Sequence, residues 1–292
     1  MSPIPTIPPP HPDPRTPRLA LPPLACDTHC HVFGPDAKYP YVADRPYTPP
    51  DAPLAKLQWM QARMGIARAV LVNATPHGCD NLVVTDAIAA SGGRYKGIAN
   101  VDASFSEAEI GRLAAAGIVG CRFTFLARLG GRPDMSRFDT VVRRIAPHGW
   151  HVDLYLPAKD LDGFAPVLDR LPIPYVIDHI GVVEARLGVD QPAFRALCER
   201  YARDPKCWIK LTGAERVSSA GAPYHDVVPF AQRLVEIDPD RLLWGTDWPH
   251  PNVPAMPDDG DLVDLVALYA PDASVRQKLL VDNPARLFGF SA

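Results

Sequence analysis

Two histidines, His29 and His31, are separated by one residue at the end of the first segment that has the character of a strand. Because successive side chains of a strand point to opposite faces, this spacing directs both imidazoles to the same side. Asp247 closes the last strand-like segment, in the run Gly-Thr-Asp-Trp. Two imidazoles and a carboxylate that meet at one place can transfer protons or hold a metal ion. The alternative is that all three are merely polar residues at strand ends.

The elements that would position these residues repeat regularly along the chain. Short β-branched runs alternate with amphipathic segments, a pattern that is typical of βα units and a parallel sheet. Strands are predicted at residues 25–32, 67–74, 95–102, 119–125, 151–157, 174–181, 207–213 and 242–248. Helices are predicted between them, among others at residues 52–64, 106–116, 135–147, 191–204 and 225–237. Eight such units predict an α/β fold, the (β/α)8 TIM barrel. A doubly wound open sheet is the alternative, but it gives no reason for polar residues at the end of nearly every strand.

Proline divides the chain into two regions. Residues 1–23 contain ten prolines, so this arm cannot pair in a sheet or continue a helix, and we expect it to run extended over the surface without a catalytic role. Residues 24–292 are predicted to form a single (β/α)8 catalytic domain. A second proline-rich stretch, residues 39–53, follows the first strand, and long loops at this position often contact substrate.

Composition excludes several classes of partner. The chain has 292 residues, a formal net charge of -3 and 47% hydrophobic residues. It has neither the basic field that binds nucleic acid nor the long apolar segment that spans a membrane, so we expect neither partner and a cytoplasmic location. Its six cysteines form no C-x-x-C pair, which excludes a zinc ribbon or thioredoxin motif. The oligomeric state is left open.

In a (β/α)8 barrel the active site lies at the C-terminal ends of the strands. The residues that the predicted strands offer there are His29, His31, Thr75, His77, Arg122, Tyr155, His179, Arg216 and Asp247. An arginine presents a planar fork of donors that matches a carboxylate, so Arg122, Arg128 and Arg216 together predict a small substrate with more than one negative charge. Alternatively, Arg128 and Arg216 pair with surface carboxylates. Tyr47, Thr75, His77 and Tyr155 offer further hydrogen bonds to the same anion.

The order of these motifs resembles the amidohydrolase superfamily, in the branch that includes lactonases and decarboxylases. The motifs are H-x-H at residues 29–31, Asp-His-Ile-Gly at residues 178–181 and Gly-Thr-Asp-Trp-Pro-His at residues 245–250. More narrowly, Cys-His-Val-Phe-Gly-Pro at residues 30–35 is similar to the 2-pyrone-4,6-dicarboxylate lactonases, which act in bacterial catabolism of lignin-derived aromatic compounds. Residues that carry this narrower similarity are Arg122, Arg128, Tyr155, His179, Arg216 and Asp247.

This resemblance implies a hydrolase that opens the lactone ring of a dianionic substrate, 2-pyrone-4,6-dicarboxylate, to 4-oxalomesaconate, and that also catalyses the reverse reaction. Asp247 would be the general base that takes a proton from the attacking water. His31 and His179, with help from His29, would polarise the lactone carbonyl. The three arginines would hold the two carboxylates of the substrate.

Two residues argue against a metal cofactor. Metal-dependent members of the superfamily usually have a carboxylate or a modified lysine on the fourth strand and a histidine on the fifth, where this chain has Arg122 and Tyr155. A guanidinium repels a divalent cation, and a neutral phenol is a reluctant ligand. We therefore expect no cofactor. The alternative is one Zn²⁺ ion in a tetrahedral site that comprises His29, His31, His179 and Asp247.

Three other functions remain open at this point. The chain could be a lactonase for a sugar lactone or a substituted muconolactone, which would need fewer arginines. It could be a zinc-dependent decarboxylase of an aromatic or unsaturated acid, since such an enzyme shares the H-x-H pair and the final aspartate. A binding protein without activity would be expected to lack Asp247 or one of the histidines.

Overall fold

The computed structural model describes residues 4–129, 131 and 133–291. Eight strands form one parallel sheet in which each strand pairs with the next in chain order. They are β1 Cys26–Cys30, β2 Arg68–Val72, β3 Tyr95–Ala99, β4 Ile118–Thr124, β5 His151–Tyr155, β6 Tyr175–Ile177, β7 Cys207–Leu211 and β8 Leu242–Trp244. Each lies within or at the edge of a predicted strand. The prediction of a (β/α)8 barrel is confirmed.

Backbone hydrogen bonds between β1 and the segment after β8 close the barrel. The amide of Asp247 donates to the carbonyl of His29, and the amide of His31 donates to the carbonyl of Trp248, both over 2.7 Å. The close approach depends on Gly245, because a Cβ atom there would lie 2.6 Å from the backbone nitrogen of His29. The first and last strands therefore meet where the sequence places its histidines and its final aspartate.

Helices surround the barrel. They are α1 Leu54–Met64, α2 Leu82–Ala89, α3 Glu107–Ala115, α4 Met135–Ile145, α5 Leu161–Arg170, α6 Pro192–Arg203, α7 Ala214–Val217, α8 Val228–Ile237, α9 Asp259–Tyr269, α10 Ala273–Gln277 and α11 Asn283–Phe288. Local sequence sets their limits. The side chain of Ser106 accepts from the amide of Glu109 and the Glu109 side chain accepts in return, a capping box that starts α3. Five helices, α1, α3, α4, α6 and α8, correspond to the segments predicted above.

Three strands end earlier than their polar motifs suggested. The first ends at Cys30, so His31 follows it directly. The predicted strands at 174–181 and 242–248 end at Ile177 and Trp244, so His179 and Asp247 lie in the loops that follow. Both residues have left-handed backbone conformations, with φ of 52° and 65°. A strand cannot contain such residues, and L-residues other than glycine rarely adopt this conformation. The turns at these positions direct both side chains back over the mouth of the barrel.

Two apolar layers form the core. The larger fills the space between the strands and the helices and includes Phe138, Trp150 and Trp244. The smaller lies inside the barrel at its N-terminal end and includes Trp208, Phe288, Val70, Val176 and Leu243. Because side chains alternate along a strand, Lys210 shares the inward face of β7 with Trp208. The barrel interior is thus apolar at its base and charged toward its C-terminal end.

Residues 1–3 of the proline-rich arm lie outside the described residues. Further along, the amide of Ile7 donates to the carbonyl of Thr48, and that of Thr48 to Pro5, so the arm lies beside the second proline-rich segment. Arg15 forms ion pairs with Asp261 and Asp264 on α9. The arm therefore connects the loop after β1 to the last long helix. Among the described residues, no helix has both the length and the apolarity to cross a membrane.

Candidate active site

A small pocket lies at the C-terminal ends of the strands. Nine residues that the sequence singled out line it: His31, Tyr47, Thr75, Arg122, Arg128, Tyr155, His179, Arg216 and Asp247. The other lining residues are Leu129, Ala74, Pro251 and Asn252. Two predicted residues, His29 and His77, are buried outside this lining.

Asp247 lies at the centre of the polar contacts in the pocket. Its Oδ2 accepts from Nε of Arg216 over 2.6 Å and lies 2.5 Å from Nη2 of the same guanidinium. Its Oδ1 lies 3.2 Å from Nε2 of His31 and 3.6 Å from Nε2 of His29. One carboxylate oxygen is therefore committed to the arginine, while the other faces two histidines.

This environment keeps Asp247 ionised. Burial alone would raise the pKa of the Asp247 carboxyl, but the charge of Arg216 and the contacts with the histidines outweigh burial and hold it well below its usual range. Arg216 also donates to the carbonyl of Pro251 over 2.8 Å, which fixes the loop that carries Asp247. The pocket thus contains a buried, ionised carboxylate.

His31 has a hydrogen-bond acceptor at each ring nitrogen. Nδ1 lies 2.8 Å from the carbonyl of Val72, which can only accept, so Nδ1 carries a proton. Nε2 lies 3.2 Å from Oδ1 of Asp247. A proton that Oδ1 takes from water would lie within hydrogen-bond reach of Nε2. The pair can therefore share a transferred proton, which stabilises the protonated form of a general base.

Beneath the pocket lies a charged cluster that the sequence prediction missed. Lys210 on β7 contacts Asp153 on β5, Asp178 after β6 and His29 on β1, and all four side chains are fully buried. Burial alone would lower the pKa of Lys210, but the two carboxylates raise it above its ordinary value, so the ammonium stays charged. The sequence did contain a signal. Lys210 and Asp153 are charged residues in the middle of predicted strands, and such charges need a buried partner.

His29 is neutral in this cluster. Burial lowers its pKa to about 3, since the attraction of Asp178 is too weak to offset desolvation and the nearby charge of Lys210. Nδ1 lies 3.2 Å from Nζ of Lys210 and 3.4 Å from Oδ1 of Asp178. His29 therefore connects the charged cluster below to Asp247 above.

Arg122 and Arg128 line the pocket on either side of Tyr155. Nε of Arg122 donates to Oδ2 of Asp178 over 3.0 Å, and its guanidinium lies 4.9 Å from the centre of the Tyr155 ring. Nη2 of Arg128 donates to the Tyr155 hydroxyl over 3.2 Å. Within the described part of the chain, Arg128 has no carboxylate at ion-pair distance, so its charge is available to a ligand.

His179 faces the pocket from the loop after β6. Its Nδ1 lies 2.8 Å from the hydroxyl of Thr212, and burial lowers the pKa of this imidazole well below its usual value. Gly213 permits this approach, because a Cβ atom at that position would lie 2.8 Å from Nδ1 of His179. The ring is therefore a fixed, neutral imidazole, in contact with Tyr155 at 4.8 Å between centroids.

The other histidines have contacts outside the pocket. The ring of His77 packs against Tyr41 and Phe33, with centroids 4.9 Å and 6.0 Å away. His250 contacts Asp259 over 3.1 Å, and the attraction of Asp259 and Glu215 outweighs burial and raises its pKa to about 10. His77 thus stabilises the loop beside the pocket, and its predicted role in substrate binding stays a prediction.

Three potential metal ligands converge at the base of the pocket. The nearest donor atoms of His29, His179 and Asp247 lie within 4.8 Å of one another, and a second such group comprises His29, Asp153 and Asp178. Three cations, Lys210, Arg122 and Arg216, are paired with the three carboxylates of these groups. A divalent ion would bring two further positive charges into a buried site whose negative charges are already balanced. The donor set therefore fits a metal ion poorly.

The chain is similar to known hydrolases over most of its length. The amidohydrolase family profile matches residues 26–290. The 2-pyrone-4,6-dicarboxylate hydrolase of Comamonas testosteroni is 44% identical, with 94% of this chain and 93% of that protein covered. The 4-sulfomuconolactone hydrolase of Rhizobium radiobacter is 45% identical, with 93% of this chain and 92% of that protein covered. A crystal structure of a protein from Agrobacterium tumefaciens superposes with a TM-score of 0.84 at 30% identity. The superposition covers 94% of this chain and 99% of that protein's chain.

Proposed function

Because the chain belongs to the amidohydrolase family, we propose that its pocket hydrolyses a lactone with two negative charges, namely 2-pyrone-4,6-dicarboxylate, to 4-oxalomesaconate. The observation that carries the proposal is the convergence of three guanidinium groups and one ionised aspartate on a single small pocket. Guanidinium groups match the carboxylates of such a substrate, and the aspartate matches the need for a base. The 44% identity to a hydrolase of that name supports the choice of substrate.

In the proposed reaction, water attacks the lactone carbonyl and Asp247 accepts its proton at Oδ1. His31, which already contacts that oxygen, helps to hold the transferred proton. His179 also lines the pocket and stabilises the oxyanion by a hydrogen bond in place of a metal ion. Collapse of the intermediate breaks the ring C–O bond, and the proton returns to the departing enolate oxygen. The reverse sequence closes the ring.

Substrate binding is assigned mainly to Arg128 and Arg122. Arg128 keeps its full charge for a ligand, whereas Arg122 uses Nε for Asp178 and retains the two terminal nitrogens. Arg216 is engaged by Asp247, so we assign it to orientation of the base as much as to the substrate. Tyr155, Tyr47 and Thr75 line the same wall and supply hydroxyl groups.

We further propose that the reaction needs no metal, since the buried cations already balance the buried carboxylates. A second candidate substrate is 4-sulfomuconolactone, because a hydrolase of that name is as similar to this chain as the pyrone hydrolase is. It too would be an anionic lactone, and the arginines suit a sulfonate as well as a carboxylate. For the first substrate, we propose a role in the breakdown of lignin-derived aromatic compounds and a location in the cytoplasm.

The test is a comparison of kcat/KM for three lactones: the pyrone dicarboxylate, 4-sulfomuconolactone and an uncharged sugar lactone. Ring opening produces a carboxylic acid, so release of one proton per turnover in weak buffer gives a common readout. We expect the pyrone dicarboxylate to be preferred. Preference for the sulfonate would select the second candidate, and equal turnover of the sugar lactone would contradict the role of the arginines.

A further inference from the structure

The ammonium group of Lys210 has two hydrogen-bond partners and one further carboxylate at ion-pair distance. They are Oδ2 of Asp153, Oδ1 of Asp178 at 3.3 Å and Nδ1 of His29 at 3.2 Å. An ammonium group donates three hydrogen bonds and accepts none. The side chains of all four residues are fully buried, so these contacts form the immediate environment of the charge.

The contact with His29 determines which nitrogen of that ring carries the proton. An ammonium group can form a hydrogen bond with Nδ1 only if Nδ1 presents its lone pair, and the proton of the neutral ring must then lie on Nε2. In the opposite tautomer, Nδ1–H would point to Asp178 and the third ammonium hydrogen would face another donor. Desolvation makes that arrangement costly, because no solvent replaces the lost hydrogen bond.

We propose that Lys210 is a positioning residue that fixes the Nε2–H tautomer of His29 and directs this hydrogen toward Oδ1 of Asp247. The inference rests on the proposed function in one respect, namely that Asp247 is the base. Oδ1 of Asp247 lies 3.6 Å from Nε2 of His29, and this buried nitrogen has no hydrogen-bond partner among the residues that the structure describes. Lys210 thus acts on the base through His29.

The consequence for catalysis is geometric. A hydrogen directed at Oδ1 attracts the carboxylate from below and holds this oxygen in position beside His31 at the edge of the pocket. The wrong tautomer would place a lone pair of His29 against the negative oxygen and push it from this position. Since neither Lys210 nor His29 lines the pocket, loss of Lys210 should lower kcat and leave KM nearly unchanged.

Nuclear magnetic resonance can read the tautomer in the wild-type protein without any substrate. Histidine labelled with ¹⁵N in the ring gives long-range proton–nitrogen correlations in which the protonated and unprotonated nitrogens have widely different shifts. The His29 signals are those lost in His29→Gln. We expect Nε2 of His29 to be the protonated nitrogen at pH 7. A proton on Nδ1 would overturn the proposal, whatever lactone the enzyme accepts.

Kinetics test whether the tautomer matters. Lys210→Met should lower kcat ~10- to 100-fold, the usual effect of a residue that orients a catalytic group from behind, and change KM less than about threefold. In a His29→Gln background the same substitution should have almost no further effect, because the residue through which Lys210 acts is absent. An equal decrease in both backgrounds, or no decrease in the first, would contradict the proposal.

Two further variants distinguish an effect of Lys210 on the orientation of His29 from an effect on folding. Lys210→Met leaves two buried carboxylates with one cation fewer, so Lys210→Met with Asp153→Asn restores the charge balance and should fold if the single variant does not. Its kcat should fall as in the single variant. Lys206→Met is the matched control, since Lys206 donates to the Leu171 carbonyl at the opposite end of the barrel. This control should keep wild-type kcat. A wild type that hydrolyses none of the lactones would defeat the proposed function and leave the tautomer result intact.

Discussion

The Arg216 guanidinium directs two nitrogens, Nε and Nη2, at the same oxygen of Asp247, at 2.6 Å and 2.5 Å. The two oxygens of this carboxylate therefore have different tasks. Oδ2 is held by the arginine, and Oδ1 is left for the histidines and, in the proposed reaction, for water. The pairing also means that Arg216 cannot offer these two donors to a substrate while it holds the base.

The first prediction concerns the base. Asp247→Asn keeps the size of the side chain but removes the proton acceptor, so kcat should fall ~10²- to 10⁴-fold, the usual contribution of general base catalysis. Steady-state kinetics measure the decrease, and calorimetry should still detect substrate binding. Asp190→Asn, on an exposed loop, is the control and should behave as wild type. If Asp247→Asn kept a tenth of normal turnover, another group would have to be the base.

The second prediction concerns Arg128, which has no carboxylate partner among the described residues. Arg128→Met should lower kcat/KM for the dicarboxylate, because the substrate carboxylate would be buried without a partner. The decrease should correspond to a loss of ~2 to 4 kcal/mol of transition-state stabilisation. For a monocarboxylate analogue, the same substitution should lower kcat/KM much less. Comparison of both enzymes on both substrates gives the coupling energy between Arg128 and the missing carboxylate. A coupling energy near zero would show that Arg128 does not bind the substrate. Arg137→Met, whose side chain is mostly exposed, is the control.

The third prediction concerns metal dependence. Prolonged treatment with EDTA and with phenanthroline should leave turnover unchanged, and elemental analysis should find far less than one metal ion per chain. Chelators that carry two carboxylates on a ring are unsuitable, since they resemble the substrate and would inhibit by occupying the pocket. Activity that is lost with EDTA and restored by zinc would establish a metal enzyme.

The fourth prediction links His29 to stability. The unfolded chain protonates this residue below about pH 6.5, but the folded protein does so only below about pH 3. Between these values the unfolded state binds more protons, so the contribution of His29 to stability is full above pH 6.5 and is lost as the pH falls. Relative to His29→Gln, the unfolding free energy of the wild type should rise with pH, by up to about 1.4 kcal/mol per unit. Urea titrations of both proteins at several pH values measure this difference in unfolding free energy. A difference that stays constant with pH would contradict the prediction.

The sequence was sufficient to predict features that depend on short segments. Eight β-branched runs separated by amphipathic segments predicted the barrel. The rule that active sites lie at strand ends selected nine residues, and seven of them line the pocket, whereas His29 and His77 do not. A buried guanidinium needs a partner, and Arg122 was assigned a substrate carboxylate, but the structure pairs it with Asp178. Pairing across the barrel joins residues that are distant in the chain, and periodicity contains no information on it.

Buried charges in Lys210 and Asp153 likewise indicate that each needs a partner, because both lie inside predicted strands, but the rule does not say which residue that partner is. The left-handed turns at His179 and Asp247 were less accessible, because neither residue type specifies such a conformation. Their geometry depends on barrel closure rather than on local sequence. The assignment of a catalytic role to each residue stays a prediction until the variants are measured.

The two hydrogen bonds that close the barrel join the backbones of His29 and His31 to those of Asp247 and Trp248. The seam of the barrel and the proposed base are therefore one structural unit, and the seam cannot open while the enzyme remains competent. Amide hydrogens of His31 and Asp247 should exchange with solvent as slowly as those that require global unfolding. A circularly permuted chain should tolerate new termini in a distant loop, whereas a cut beside Asp247 should abolish activity even where the barrel still folds.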